Sequence, residues 1–218
     1  MGTDGSVIVR RPLLRGYFHL VAAWAAVVGL VVLVLRADSP RAYVGGVIFA
    51  ASMALLYATS AAYHTMSWGR RMRSLLRRLD HAMIFVLIAG TYTPFCLLAA
   101  SRAWGVSLLA VAWSVAGAGV IMKLAWPGAP RWLSVLLYGA AGWMALVASV
   151  PLAQWLAFTP LAALVAGGIL YTVGGVIYAL RRPDPFPRVF GYHEVFHLLV
   201  VGASALHYSI VVIYLMPG

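Results

Sequence analysis

The sequence predicts an all-α polytopic membrane protein, a bundle of seven transmembrane helices. The first observation is its composition: of 218 residues, 63% are hydrophobic and only 10% are charged, with a mean hydropathy of +0.92. A soluble domain of this composition would lack the polar residues that cover a surface in water. The second observation is that apolar runs of about 20 residues, the length that crosses a bilayer, alternate with short clusters of arginine.

The first four spans are separated by short charged segments. A basic leader, residues 1–15, precedes the first apolar run at residues 16–35. That run is longer than the core of a signal peptide and no cleavage site follows it, so we predict that it is retained as a span. The second span, residues 43–66, is followed by an arginine-rich segment that we predict to be a loop. The third and fourth spans are predicted at residues 79–100 and 104–124.

The next segment has room for two spans. The 49 residues between Arg131 and Arg181 carry no charge, and Pro151, Gln154 and Pro160 mark the turn that divides them. A loop with three prolines, which exclude helix, then separates the sixth span from the seventh. The last three spans are predicted at residues 132–150, 160–180 and 191–215, which completes one transmembrane domain over residues 16–218.

The distribution of positive charge predicts the orientation of the bundle. The leader and the loops after spans two, four and six hold 13 of the 16 Lys and Arg residues. Positive charge accumulates on the cytoplasmic side of membrane proteins, which predicts a cytoplasmic N-terminus and an external C-terminus in a cell membrane, the plasma or bacterial inner membrane. The net charge of +11 does not indicate a nucleic-acid partner, because the arginines lie between spans and no folded basic domain carries them.

Small residues in the sixth span predict close helix packing. Gly167, Gly168, Gly174 and Gly175 repeat at seven residues, which places them on one side of the helix. Glycine lets helix backbones approach closely in a membrane. We therefore expect another helix to pack tightly against this side.

Histidines in the spans predict a metal site. His193 and His197 have the i, i+4 spacing that lets two imidazoles bind one ion. His207 shares their helix face but lies about 15 Å deeper, too far to join them. The predicted topology brings His64, at the end of the second span, to the same cytoplasmic side. We therefore predict that His64, His193 and His197 bind Zn²⁺ with a fourth position open, as in catalytic zinc sites.

Two further residues are predicted beside this metal. Asp80 begins the predicted third span at the same depth and is a candidate to orient or deprotonate a zinc-bound water. It equally suits an N-cap or an ion pair with the preceding arginines. Ser60, one turn before His64, is a candidate to bind the same water or a substrate carbonyl. A hydrogen bond to the carbonyl four residues earlier is the commoner use of such a serine.

The other ionisable residues near this site are interpreted as structural. Glu194 lies at the start of the seventh span, where a carboxylate complements the helix dipole. His19 and His81 are interpreted as histidines that hydrogen-bond within the helix bundle. Neither is expected to bind the metal.

Four motifs follow one another along the chain: Ser60-Ala61-Ala62-Tyr63-His64, Leu79-Asp80-His81, Ala89-Gly90-Thr91-Tyr92-Thr93-Pro94 and His193-Glu194-Val195-Phe196-His197. This combination resembles the hemolysin III family, the bacterial branch of the progestin and adipoQ receptor superfamily, which is related to the alkaline ceramidases. The resemblance implies a seven-helix fold with zinc bound by His64, His193 and His197, and with Ser60 and Asp80 beside the metal. Many relatives carry Glu-x-x-Asn-x-x-Ser/Thr-His before the first span. This chain has Pro12, Arg15, Phe18 and His19 there.

Two classes of function follow from these observations. The first is a zinc hydrolase of an amide or ester bond in a membrane lipid, involved in lipid homeostasis, which an open zinc position beside a carboxylate favours. The second is a non-enzymatic sensor, or a pore-forming and cytolytic protein, in which zinc is structural. A channel needs a polar stripe through several spans, and spans four to six have almost no ionisable residues. The expected partner is a membrane lipid, as substrate or as ligand.

The charge distribution predicts that alkaline phosphatase fused to the C-terminus is active, because this reporter folds only outside the cytoplasm. The matched control is the same reporter inserted after Arg182, in the loop before the seventh span, where it should be inactive. An inactive C-terminal fusion beside an active loop fusion would invert the predicted topology.

Overall fold

The structure is a computed structural model that describes residues 12–98, 102–126, 128–145 and 156–216. Within these residues the regular structure is helical, apart from one isolated β-bridge between Phe186 and Phe190, which confirms the all-α class. The seven α-helices are α1 (Tyr17–Arg36), α2 (Pro40–Thr65), α3 (Arg70–Leu98), α4 (Arg102–Ala125), α5 (Arg131–Trp143), α6 (Phe158–Leu180) and α7 (Tyr192–Ile210). A π-helical segment, Val211–Leu215, continues α7.

Six of these helices, all except α5, are long and apolar enough to cross a membrane. The chain is therefore a multi-pass helical membrane protein. The described part of α5 has 13 residues, and residues 146–155, which include the predicted turn at Pro151 and Gln154, lie outside the described ranges. Pro160 lies in the first turn of α6, where helices tolerate proline. The seventh span and the orientation of the bundle stay predictions.

The outer surface of the bundle is apolar. On α1, for example, Trp24, Val28 and Leu35 are 70%, 64% and 80% exposed. A contiguous apolar surface of this kind is unfavourable in water. Lipid tails are as apolar as these side chains, so a bilayer covers the same surface without that penalty.

The start of α3 differs from the prediction. The helix begins at Arg70, nine residues before the expected start at Leu79, so the arginine-rich segment is helical and is not a loop. Residues 70–89 contain neither glycine nor proline, and arginine and leucine are good helix formers. The N–H group of Arg73 donates to the carbonyl of Gly69 (2.9 Å) and closes the first turn. Asp80 therefore lies inside the helix.

Helices that follow one another in the chain pack together, as short connections require: α1 on α2, α2 on α3, α3 on α4 and α6 on α7. The last helix, α7, also contacts α1. Leu33, Phe49 and Ile210 are fully buried in the main core cluster, where α1, α2 and α7 meet. The packing of the last helix on the first two brings the first turn of α7 next to the end of α2.

The four glycines of α6 pack on two helices, where the sequence predicted one contact side. Gly167 and Gly174 face α7, and a β-carbon at Gly167 would overlap the ring of His207. Gly168 and Gly175 face α5. Successive residues of a helix point about 100° apart, so two adjacent glycines can serve two neighbouring helices. α6 is therefore held between α5 and α7.

Gly167→Ala is expected to lower the free energy of unfolding by about 1–3 kcal/mol, because the buried His207 ring must move to admit the methyl group. Gly168→Ala is the matched control. Its new methyl group would lie 3.9 Å from the nearest described atom outside the local helix, on Trp143, and alanine favours the helix by about 1 kcal/mol. Thermal unfolding in detergent measures both variants. Equal melting temperatures would contradict close packing at Gly167.

Candidate functional site

Three histidines meet at one end of the bundle. His64 lies in the last turn of α2, and His193 and His197 lie in the first two turns of α7. Each offers one ring nitrogen to a group of three, and these three atoms all lie within 4.8 Å of one another. The Nε2 atoms of His64 and His193 are 3.1 Å apart, and the ring centroids of His64 and His197 are 5.2 Å apart. The structure thus brings together the three residues that the sequence predicted as metal ligands.

Two carboxylates hold the first turn of α7. Asp184 accepts a hydrogen bond from the backbone N–H group of Tyr192 (2.9 Å), and Glu194 accepts one from that of Gly191 (2.8 Å). The first N–H groups of a helix have no partner within the helix, so these bonds fix where α7 begins. His197, the second histidine of the i, i+4 pair, lies one turn after His193 on the same face of α7. The position of both histidines therefore depends on this capped turn.

The leader segment before α1 is attached to the same turn. The Nε atom of Arg15 donates to Glu194 at 2.8 Å, and the Glu194 side chain is fully buried. Two backbone hydrogen bonds of 3.1 Å join the leader to the loop before α7, from Leu13 to Arg188 and from Leu14 to Val189. Sequence analysis missed the Arg15–Glu194 pair, because no local pattern connects residues 179 positions apart.

Asp80 faces the histidines. Its Oδ2 atom lies 3.9 Å from Nε2 of His64. The alternative N-cap role is wrong, because α3 begins at Arg70. The alternative ion pair with Arg77 or Arg78 is also wrong, since His64 is the only described residue within ion-pair distance of the Asp80 carboxylate. With both structural alternatives excluded, Asp80 is a carboxylate beside the histidine cluster.

Ser60 is buried beside the same cluster. It is 1% exposed, and its Oγ atom has no hydrogen-bond partner among the described residues. The commoner use of such a serine, a bond to the carbonyl of Leu56, is therefore not made. Thr65 of the same helix does make the equivalent bond, to the carbonyl of Ala61 at 2.7 Å. The Ser60 hydroxyl lies beside the Asp80 carboxylate and makes no hydrogen bond of 3.5 Å or less within the described ranges.

His81 has the structural role that the sequence predicted. Its Nδ1 atom lies 2.7 Å from the carbonyl of Arg77 and its Nε2 atom 3.1 Å from the hydroxyl of Tyr178. His207, ten residues beyond His197, is also outside the cluster. Its Nε2 atom lies 3.2 Å from the carbonyl of Leu164.

His19 lies outside the group of three clustered histidines, as the sequence predicted, but its contacts differ from those of His81. Neither of its ring nitrogens has a hydrogen-bond partner within the described ranges, although the residue is buried. Its ring instead stacks on that of His197, with centroids 3.7 Å apart and planes inclined by 12°. His19 is therefore a structural histidine that contacts the cluster mainly through the face of its ring.

A cavity of about 280 Å³ extends from the histidine cluster along α7 as far as His207. Helices α3, α5, α6 and α7 supply most of its wall, and α1 and α2 contribute His19, Leu56 and Ser60. Most of the wall is apolar, as in Ile84, Leu87, Phe95, Leu161, Val165 and Val200. Sequence analysis did not predict this cavity, because apolar residues in a span do not reveal whether they face lipid, protein or an internal space.

Most polar side chains along the wall use their hydrogen bonds within the protein. Tyr92 donates to the carbonyl of Gly142 (2.6 Å), and Trp143 donates to the hydroxyl of Thr172 (2.9 Å). Tyr171 shares a 2.7 Å bond with Ser204, Tyr138 donates to the carbonyl of His81, and Thr91 donates to that of Leu87. Away from the histidine cluster, the cavity therefore offers a largely apolar surface to a bound molecule.

The histidine cluster has the ligand chemistry of a metal site. Three imidazole nitrogens suit zinc and several other transition metals. Three protein ligands and one open position is the number found in catalytic zinc sites. The residues present therefore fit a metal ion, and His64, His193 and His197 are the ones that would hold it.

Comparison with known proteins agrees with this architecture. The haemolysin-III related family model matches residues 7–208. Hemolysin-3 of Bacillus cereus is 34% identical over 212 residues, which cover 96% of this chain and 94% of that protein. The Hemolysin-3 homolog of Bacillus subtilis is 34% identical over 189 residues, 87% of this chain and 85% of that protein.

A more distant relative supports the wider grouping. The Adiponectin receptor protein of Drosophila melanogaster is 28% identical over 186 residues, which cover 68% of this chain and 37% of that protein. This match agrees with the resemblance to the progestin and adipoQ receptor superfamily. On the family model and the two Bacillus proteins together, the chain belongs to the haemolysin-III related family.

Proposed function

We propose that this protein is a zinc-dependent hydrolase that cleaves an amide or ester bond of a membrane lipid at the plasma membrane, in the service of lipid homeostasis. The observation that carries the proposal is the position of the histidine cluster at one end of an apolar cavity inside the bundle. A polar reaction centre and an apolar binding space are the two parts that such a substrate requires.

The cavity suits the hydrocarbon part of a lipid. Its volume of about 280 Å³ lies near the lower end of the roughly 300–1,000 Å³ that is typical of small-molecule sites. Its polar side chains are largely bonded within the protein, so an apolar chain displaces few hydrogen bonds on entry. A lipid seated with its chain in the cavity brings its polar end to Asp80 and Ser60.

The cluster residues then have distinct roles. His64, His193 and His197 would hold the ion, which would supply Lewis acidity and activate water when bound. The Asp80 carboxylate, close to His64, accepts the proton of the attacking water and returns it to the leaving amine or alcohol. The Ser60 hydroxyl donates a hydrogen bond to the carbonyl oxygen, where negative charge develops in the transition state.

A metal that only joins α2 to α7 is the competing explanation. It corresponds to a sensor or a cytolytic protein, and the relative from Bacillus cereus carries the name Hemolysin-3. A purely structural site has no need of a carboxylate or of a free hydroxyl beside the ligands. The hydrolase is therefore the better account of Asp80 and Ser60.

Purified wild-type protein is expected to contain one zinc ion per chain by elemental analysis. His64→Ala, His193→Ala and His197→Ala should each lose most of the metal, because two remaining protein ligands hold zinc weakly. His207→Ala is the matched control on α7 and should keep its zinc, since its ring lies outside the cluster. Loss of zinc from the control and not from His64→Ala would refute this ligand set.

Asp80→Asn is expected to keep zinc and the fold while lowering lipid turnover about 10²- to 10⁴-fold, the usual range for loss of a general base. The measurements are zinc content, thermal stability and release of fatty acid from N-acyl and O-acyl lipids in detergent. Full turnover by the Asp80→Asn variant would remove the carboxylate from the mechanism. Two results together would favour a structural metal. Purified zinc-loaded wild-type protein would cleave none of these lipids, and deletion of the gene would leave the lipid profile of the strain unchanged.

A further inference from the structure

The ring of His197 lacks the support that a metal-binding histidine usually has. Such a histidine normally donates its second ring N–H to a carboxylate, a carbonyl or a water, which holds the ring in its binding orientation. The Nδ1 atom of His197 is buried and has no hydrogen-bond partner in the described part of the chain. The orientation of this ring must therefore come from packing.

Among the described residues, His19 has the aromatic ring nearest to that of His197. The two imidazoles lie face to face, with centroids 3.7 Å apart and planes only 12° from parallel. His19 is 3% exposed, and both of its ring nitrogens lack partners in the same described ranges. No hydrogen bond of 3.5 Å or less to a described residue holds this side chain in place, so ring packing is the closest contact that fixes its position.

The position of His19 is itself well determined. On α2, the ring of Tyr57 packs against it with a centroid distance of 5.0 Å. The start of α1 is tightly seated as well, since Gly16 has a φ of 86° and a β-carbon there would press on His64. A left-handed residue without a side chain is what this approach requires. The His19 ring is thus a fixed surface beside His197.

We propose that His19 is a positioning residue of the metal centre, whose ring stacks on His197 and holds that imidazole in its metal-binding orientation. This inference rests on the proposed metal site. An imidazole bound to a cation carries more positive charge, and the face of a neighbouring neutral aromatic ring attracts positive charge. The stack therefore strengthens when the ion is bound, and His19 contributes to metal affinity as well as to packing.

Two substitutions test the aromatic face of His19 separately from its two ring nitrogens. His19→Phe keeps an aromatic face and removes both nitrogens, whereas His19→Asn keeps a polar group and removes the ring. The control is His207→Asn, which replaces another buried histidine whose ring lies near an aromatic one, Tyr171, away from the metal. Each protein is stripped of metal, and its zinc affinity is measured by competition with a chromophoric chelator.

His19→Asn is expected to bind zinc about 10- to 100-fold more weakly than wild type, the range found when support of a metal ligand is lost. His19→Phe and the control should bind zinc like wild type. The absorption bands of the Co²⁺-loaded proteins give a second readout: the Asn variant should show altered ligand-field bands, and the Phe variant should not.

Wild-type affinity in His19→Asn, or a loss in His19→Phe equal to that in His19→Asn, would overturn the positioning role. If His19→Asn does not fold, a loss of about 10-fold or more in His19→Phe would overturn the role; if His19→Phe does not fold, wild-type affinity in His19→Asn would overturn it. If wild-type protein binds no metal, the proposed function itself fails. This outcome differs from failure of the positioning role, because wild type and all three variants would then bind zinc equally poorly.

Discussion

The ion pair between Arg15 and Glu194 is the interaction on which the candidate site depends. Glu194, which directly follows His193 in the sequence, is fully buried, and a buried carboxylate without partners would be strongly destabilising. Arg15 and the Gly191 N–H group supply those partners. One carboxylate thereby joins the leader to the first turn of α7, and that turn determines where His193 and His197 lie relative to His64.

The distribution of unpaired polar atoms separates the site into two parts. At the histidine cluster, Ser60, His19 and His197 retain ring nitrogens or a hydroxyl without a partner among the described residues. Along the cavity wall, tyrosine, threonine and tryptophan donors are bonded to the protein, although Nδ1 of His207 at the far end has no partner among the described residues. Because a membrane interior supplies no water to satisfy such groups, their internal pairing is required for the fold. The same pairing leaves an apolar path that leads to the polar cluster.

The extension of α3 shows how a correct prediction of position can accompany a wrong prediction of local structure. Hydropathy predicts which residues lie in the lipid, and in the structure the side chains of Arg71, Arg73 and Arg77 are exposed. It does not identify where a helix begins, because arginine is both a cytoplasmic signal and a good helix former. Asp80 lies inside the extended helix, so it cannot be an N-cap, and its carboxylate lies 3.9 Å from His64.

Composition and spacing alone determined the membrane class, most of the span positions and the three clustered histidines, and the resemblance of four motifs indicated the family. The reason is that two of those histidines lie on one helix at i, i+4, and alternating spans determine at which end His64 must lie. The Arg15–Glu194 pair, the stack of His19 on His197, the divided contacts of the α6 glycines and the cavity were decided by the tertiary structure. Each depends on how a helix is rotated about its own axis. In a bundle that is apolar both inside and outside, hydropathy carries little information about that rotation.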